Sequence, residues 1–182
     1  SEATRGTAVT PTDFVPARVA SDITKKVEKT MVKESRASKF GTYGAEITHS
    51  RGEGELEFNL KNRTIGYFLK SLLGSVSSAL KGGETVVYNH TFSILATSPA
   101  NPTITLALAQ QGFQHYEYNG VMITKLDIEA KLDDVVTAKV SMVSRDEATH
   151  ADYTPSFNTN DYLFRNHDFK VKVATTLGGL AG

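Results

Sequence analysis

Gly120-Val-Met-Ile-Thr-Lys-Leu-Asp-Ile-Glu-Ala-Lys-Leu-Asp-Asp-Val-Val-Thr-Ala-Lys-Val-Ser-Met-Val143 reads as two long strands joined by a turn at Asp133-Asp134. Successive side chains of a strand point to opposite faces. Leu126, Ile128, Ala130 and Leu132 therefore share one face of the first strand, and Lys125, Asp127, Glu129 and Lys131 share the other. Val136, Ala138, Val140 and Met142 continue the apolar face after the turn. One face is made for a core and the other is a mixed-charge surface. The hairpin pairs no nucleophile with a base and clusters no metal ligands.

Upstream, residues 53–60 alternate in the same way. Glu53, Glu55 and Glu57 take one face, and Leu56, Phe58 and Leu60 the other. Asn62 is placed to cap a helix. Ile65, Phe68, Leu69, Leu72 and Leu73 then recur at the 3.6-residue period, which predicts one apolar helical stripe and makes them candidate core residues. Gly74 stands where a helix ends in a left-handed residue. Gly66, inside the helix, is expected to let a neighbouring element approach closely.

The rest of the chain is strand and loop. Residues 22–33 read as a polar strand, and 34–51 as a long loop. Residues 75–84 are a small-residue connector. A strand at 85–95 puts Val86, Tyr88, His90, Phe92 and Ile94 on one face, and Ile104, Leu106 and Leu108 mark another strand. Gln110–Asn119 is a polar connector, and 145–167 a second long loop. Phe169, Val171 and Val173 mark a last strand before a small-residue tail. Residues 1–20, with Pro11 and Pro16, form an extended arm that either lies on something or is loose. Many strands with one helix predict a mainly β (α+β) fold. It is a β-sandwich or open barrel of two packed sheets with a flanking helix. At 182 residues the expectation is the arm 1–20 and a single domain over 21–182.

Composition narrows the function. Lys plus Arg and Asp plus Glu both number 20, so the basic footprint of a tight nucleic-acid binder is missing. Balanced charge permits self-association. There is no Cys, hence no disulfide framework or thiolate metal site. No apolar run reaches the ~20 residues needed to cross a bilayer as a helix, so no membrane partner is expected.

No catalytic, cofactor-binding or metal site is expected. His49, His90, His115, His150 and His167 show no metal-ligand spacing. His90, on an apolar strand face, reads as a core histidine with a satisfied hydrogen bond. Gly74-Ser75-Val76-Ser77-Ser78 is not a nucleophile elbow. Gly52-Glu53-Gly54 lacks the Lys and Ser/Thr of a phosphate loop. The ladder Glu53, Glu55, Glu57 has two readings: a solvated strand face with cross-strand lysine partners, or a surface used to repel a polyanion. A glycosidase carboxylate pair would need an acid in an apolar pocket, which nothing here supplies.

Taken in order, residues 52–143 resemble the tail tube proteins of long-tailed, siphovirus-type bacteriophages. The resemblance is carried by the strand Gly54–Leu60 and the helix Ile65–Gly74. After them come Tyr88-Asn89-His90-Thr91-Phe92, Thr103-Ile104-Thr105-Leu106, Tyr118-Asn119-Gly120-Val121 and the closing hairpin. It covers about half the chain. It implies a structural virion protein of the tail that assembles in the host bacterial cytoplasm into stacked, usually hexameric, rings. The resulting tube conducts DNA during ejection, without specific binding. Implied partners are further copies of the chain, the tape measure protein, and the tail terminator and distal tail proteins. The arm and the loops 34–51 and 145–167 would bridge rings. An acidic lumen would be lined by Glu53, Glu55, Glu57, Asp127 and Glu129. Lys125, Lys131 and Lys139 depart from that pattern, being on the same hairpin face. Relatives that continue beyond a segment like Phe169–Leu180 imply a chain cut short after Gly182. Two alternatives share the sequence features: a ring subunit of a contractile injection or secretion machine, and an adhesin-like β-sandwich with ligands on the two long loops.

Overall fold

The hairpin of residues 120–143 lies in the middle of a curled antiparallel sheet. A computed structural model describes residues 1–18, 22–33, 44–95, 101–108, 114–150 and 153–168. The elements are β1 (Asp22–Met31), β2 (Ala45–Asn59), α1 (Ile65–Leu73), β3 (Gly74–Leu80), β4 (Tyr88–Ile94), β5 (Ile104–Leu108), β6 (His115–Glu129), β7 (Thr137–Ser144) and β8 (Asp146–His150). The main sheet has the order β1-β2-β7-β6-β5, with β8 also paired to β6. It curls into a half-barrel flanked by α1, and β3 and β4 make a second, two-stranded sheet. The expected mainly β architecture with one helix is therefore present.

The core follows the alternation. Leu56, Phe58 and Leu60 of the β2 segment, Val136, and Ala138, Val140 and Met142 of β7 are buried, together with Tyr118, Val121 and Ile123 of β6. Phe68 of α1 stacks on Phe58 with ring centroids 4.9 Å apart. In β6, a register shift between Ile123 and Lys125 lets two residues oppose one. A bulge of this kind moves later side chains to the other face. Odd-numbered Val121 and Ile123 and even-numbered Leu126 thus pack against the same core. The turn is where the sequence places it, with Asp133 at φ 59°.

Burial of the hairpin's apolar face stops earlier than expected. Leu126 is half-buried, but Ile128, Ala130 and Leu132 are exposed, Leu132 at 80%. Ala130 and Leu132 lie past Glu129, the last residue of β6 paired to β7, and Ile128, though paired with Ala138, is 47% exposed.

Several further expectations are corrected. The loop expected at 34–51 overlaps β2, which begins at Ala45 and pairs with β1 from Met31 down to Asp22. Residues 34–43 fall outside the described residues, as does the strand expected at Phe169–Val173. The connector expected at 75–84 is mostly β3, whose Ser, Ala and Val side chains do not disguise a strand once β4 is beside it. The second long loop begins with β8, and its remainder is stitched to the core at Phe164. The Phe164 N–H donates to Leu60 O at 3.2 Å, and its carbonyl accepts from Val136 N at 3.0 Å.

In α1, Phe68 is buried and Ile65, Leu69, Leu72 and Leu73 are half-buried. Ile65 and Leu72 pack on the core. Ser71 is buried as well, though it is off the apolar stripe. Asn62 does not cap the helix. Thr64 occupies that position without a side-chain cap, while the Asn62 side-chain Oδ1 accepts from Tyr162 N at 3.1 Å. Gly74 ends the helix at φ 103°, as expected. A Cβ on Gly66 would meet only Phe92, at 3.7 Å, which is ordinary contact rather than close approach. His90 is exposed, not a core residue: on its face of β4 only Phe92 is half-buried, against α1 at Gly66. Its Nδ1 lies 2.7 Å from Ser78 Oγ.

Candidate assembly surfaces

The sheet face opposite the core gathers the acidic residues singled out in the sequence. Antiparallel pairing aligns Glu57 of β2 with Lys139 of β7, and Lys139 with Asp127 of β6. The next row aligns Glu55, Ser141 and Lys125. Glu53 lies beside Thr24 of β1, and Glu129 beside Thr137. All five predicted carboxylates are thus on one surface.

Three lysines on that surface are held by carboxylates of the same chain. Lys139 Nζ is 2.6 Å from Glu55, Lys125 Nζ 2.6 Å from Asp127, and Lys131 Nζ 3.2 Å from Glu129. Arg51 bridges Glu53 and Glu28, and Arg18 reaches Glu57 at 3.2 Å. The Lys139 ammonium, with Ser141 and Lys125 in support, holds the Glu55 carboxyl below the usual range, and Glu55 in turn raises Lys139. The ladder is therefore internally compensated. Cross-strand partners, one of the two readings of the sequence, are present within the chain.

Two glycines of β2 face the other way, toward the core side of the sheet. A Cβ on Gly54 would run into the backbone of Asp22 and sit 2.5 Å from Ile23 Cα. A Cβ on Gly52 would strike Ser144 Oγ and the Tyr118 ring. Gly52-Glu53-Gly54 is a packing motif: β1 and the β6 aromatic come too close for a side chain.

The second surface is the arm, and its decisive residue escaped the sequence reading. Glu2 is only 8% exposed. Its carboxylate accepts from Thr103 Oγ1 at 2.5 Å, Thr105 Oγ1 at 2.9 Å, Gly6 N at 2.7 Å and Gly120 N at 2.8 Å. Burial alone would raise its pKa, but these four donors together lower it. Farther along, Val9 N donates to Thr105 Oγ1, and Tyr67 OH of α1 donates to Asp13 at 2.7 Å. Burial and the Asp13 charge push the Tyr67 phenol up to about 12. Phe14 meets Phe157 edge to face, and Ala17 bridges to Phe58. The described part of the arm thus lies along β5, α1 and β2 of its own chain. No spacing or composition signal marks Glu2 as an anchor, because three of its four donors, on Thr103, Thr105 and Gly120, are more than 100 residues away.

A third surface is the outer part of the β1–β2 ribbon. Val27, Met31 and Ile47 are exposed there. Among the described residues no three His, Asp or Glu side chains converge as a metal site. No helix among them is long and apolar enough to cross a membrane.

Comparison with known families decides what these surfaces belong to. The family model of phage tail tube proteins matches residues 1–179. The chain belongs to the phage tail tube family. This tail tube protein is a structural subunit of a virion tail. A comparison with curated proteins found no match. Among solved structures it is similar to a chain in the virion of a native gene transfer agent particle. There the identity is 13%, with 76% of this chain and 88% of that one covered, at a TM-score of 0.44. It is also similar to a chain in the tail of an empty gene transfer agent particle solved with C6 symmetry. That match has 14% identity, 75% and 84% coverage and a TM-score of 0.41.

Proposed function

We propose that this tail tube protein closes into six-membered rings that stack into a DNA conduit, with the charged face of β1, β2, β7 and β6 turned to the lumen. The observation that carries the lumen assignment is the pairing of Lys125, Lys131 and Lys139 with carboxylates of that face. A lysine already neutralised by a neighbour 2.6 Å away has little free charge for a passing phosphate, and counterion release from DNA is correspondingly small. Such a surface conducts DNA without being strongly acidic. Glu53, Glu55, Glu57, Asp127 and Glu129 act as neutralising partners, not as a bare acidic lining.

Ring closure answers a physical need of the half-barrel. A curled sheet with open ends presents unpaired backbone groups, and heterologous contacts that close on themselves remove them. Assembly takes place in the host cytoplasm around a tape measure protein, between distal tail and terminator proteins. The chain acts as one domain without catalytic or cofactor chemistry. Negative-stain electron microscopy of the purified chain tests the reading. Rings or tubes with six-fold end views are expected, and a chain that stays monomeric at high concentration and with its tape measure partner would refute it.

A further inference from the structure

The sheet edges of this molecule are guarded unequally. Natural β proteins block free edges with charge, cover them with other segments or keep them short. β1 carries Lys25, Lys26 and Lys29. β5 is overlaid by the arm, through Glu2 N to Thr103 O and Val9 N to Thr105 Oγ1. β8 is five residues long and begins with Asp146 and Glu147. The β3–β4 hairpin has none of these devices. Its strands, Gly-Ser-Val-Ser-Ser-Ala-Leu and Tyr-Asn-His-Thr-Phe-Ser-Ile, contain no Lys, Arg, Asp or Glu. Among the described residues each strand is paired only to the other.

Its two faces differ in chemistry. The register puts Val76, Leu80, Tyr88, Phe92 and Ile94 on one side, with the hydrogen-bonded Ser78–His90 pair among them, and Ser75, Ser77, Asn89, Thr91 and Ser93 on the other. Phe92, the half-buried one, faces α1 at Gly66. Leu80, Tyr88 and Ile94 remain exposed, Ile94 at 78%. A lone two-stranded hairpin is marginal in water and needs further strands or a cover over its apolar face.

We infer that a strand of a second copy of this chain pairs onto an open edge of the β3–β4 hairpin in the assembled tail, and that its side chains cover Leu80, Tyr88 and Ile94. A second copy is the fitting occupant because the proposed tube is built from copies of this chain. A hairpin whose strands carry no Lys, Arg, Asp or Glu has little to repel a like strand, whereas β1 and β8 carry charge and β5 is overlaid by the arm. The inference rests on the tube reading and refines it.

Hydrogen exchange of the full chain, as monomer and as assembled tube, provides the test. Backbone amides of 75–80 and 88–94 on the open edges should exchange readily in the monomer and slow at least about ten-fold in the tube. A companion variant, Leu80→Lys, should melt within about 2 °C of the parent, since the site is exposed, yet yield few or no tubes. Tubes whose hairpin amides exchange as fast as the monomer's would overturn the inference and leave the tube reading standing. Amides already protected in the monomer would show that another segment of the same chain covers the edge, and would overturn it too. Normal tubes from the lysine variant would do the same. A parent chain that forms no tubes would sink both readings together.

Discussion

Glu2 has exchanged water for four protein donors, and that exchange sets its behaviour with pH. A carboxylate withdrawn from water is costly unless its oxygens are satisfied. Here two backbone N–H groups and two threonine hydroxyls satisfy them. The folded-state pKa is below the ordinary glutamate value of 4.5, so the native state holds the proton less well than the unfolded chain does. The resulting stability is complete above 4.5 and is lost as the pH falls through the depressed value. Glu2→Gln should therefore flatten the acid limb of a plot of melting temperature against pH, melting below the parent at pH 7 and converging on it in acid. Glu2→Ala should cost about 2–3 kcal/mol in urea unfolding, because buried donors are left without an acceptor. An unchanged midpoint would mean that the arm contributes nothing to the fold.

Two glycines separate what an element tolerates from what it forbids. Gly66 lies inside α1 with room for a methyl group against Phe92. Gly66→Ala should stabilise the protein by about 0.5–1 kcal/mol, read as a higher denaturation midpoint. Gly54 lies where β1 crosses β2 within reach of any Cβ. Gly54→Ala should cost about 2–4 kcal/mol or prevent β1 from pairing, visible as a lower melting temperature and faster amide exchange in β1. The two sites look alike in the sequence, as single glycines in regular patterns. What the pattern reveals is the period: Leu56, Phe58 and Leu60 on β2, the stripe of α1, and the β7 core all follow from it. What it hides is anything set by a partner far along the chain. The bulge at Thr124 depends on β7, the strand β3 depends on β4, and the cap expected at Asn62 is taken by Tyr162. Of the candidate site, the alignment of acids on one face was legible. That Lys139 and Arg51 neutralise them was open until the strand order set β2 between β1 and β7.

At the scale of the whole tube, small charges multiply. Glu55 faces solvent in the subunit, and its contact with Lys139 is an exposed pair, so Glu55→Lys should barely move the melting temperature. Its effect on the surface is larger. The substitution removes an anion, frees Lys139 and places a third ammonium near Lys139 and Lys125, and the patch repeats in every subunit. If this face lines the lumen, tubes should form normally while DNA ejection slows. The slowing should be relieved by added salt, since phosphate contacts weaken as salt rises. Ejection measured by dye uptake at two ionic strengths reads this directly. Failed ring formation would instead place Glu55 at a subunit seam, and normal ejection would put the lumen on another face. Salt dependence is the discriminating readout. A misassembled tube conducts poorly at any ionic strength, whereas a sticky lumen recovers when its lysines are screened.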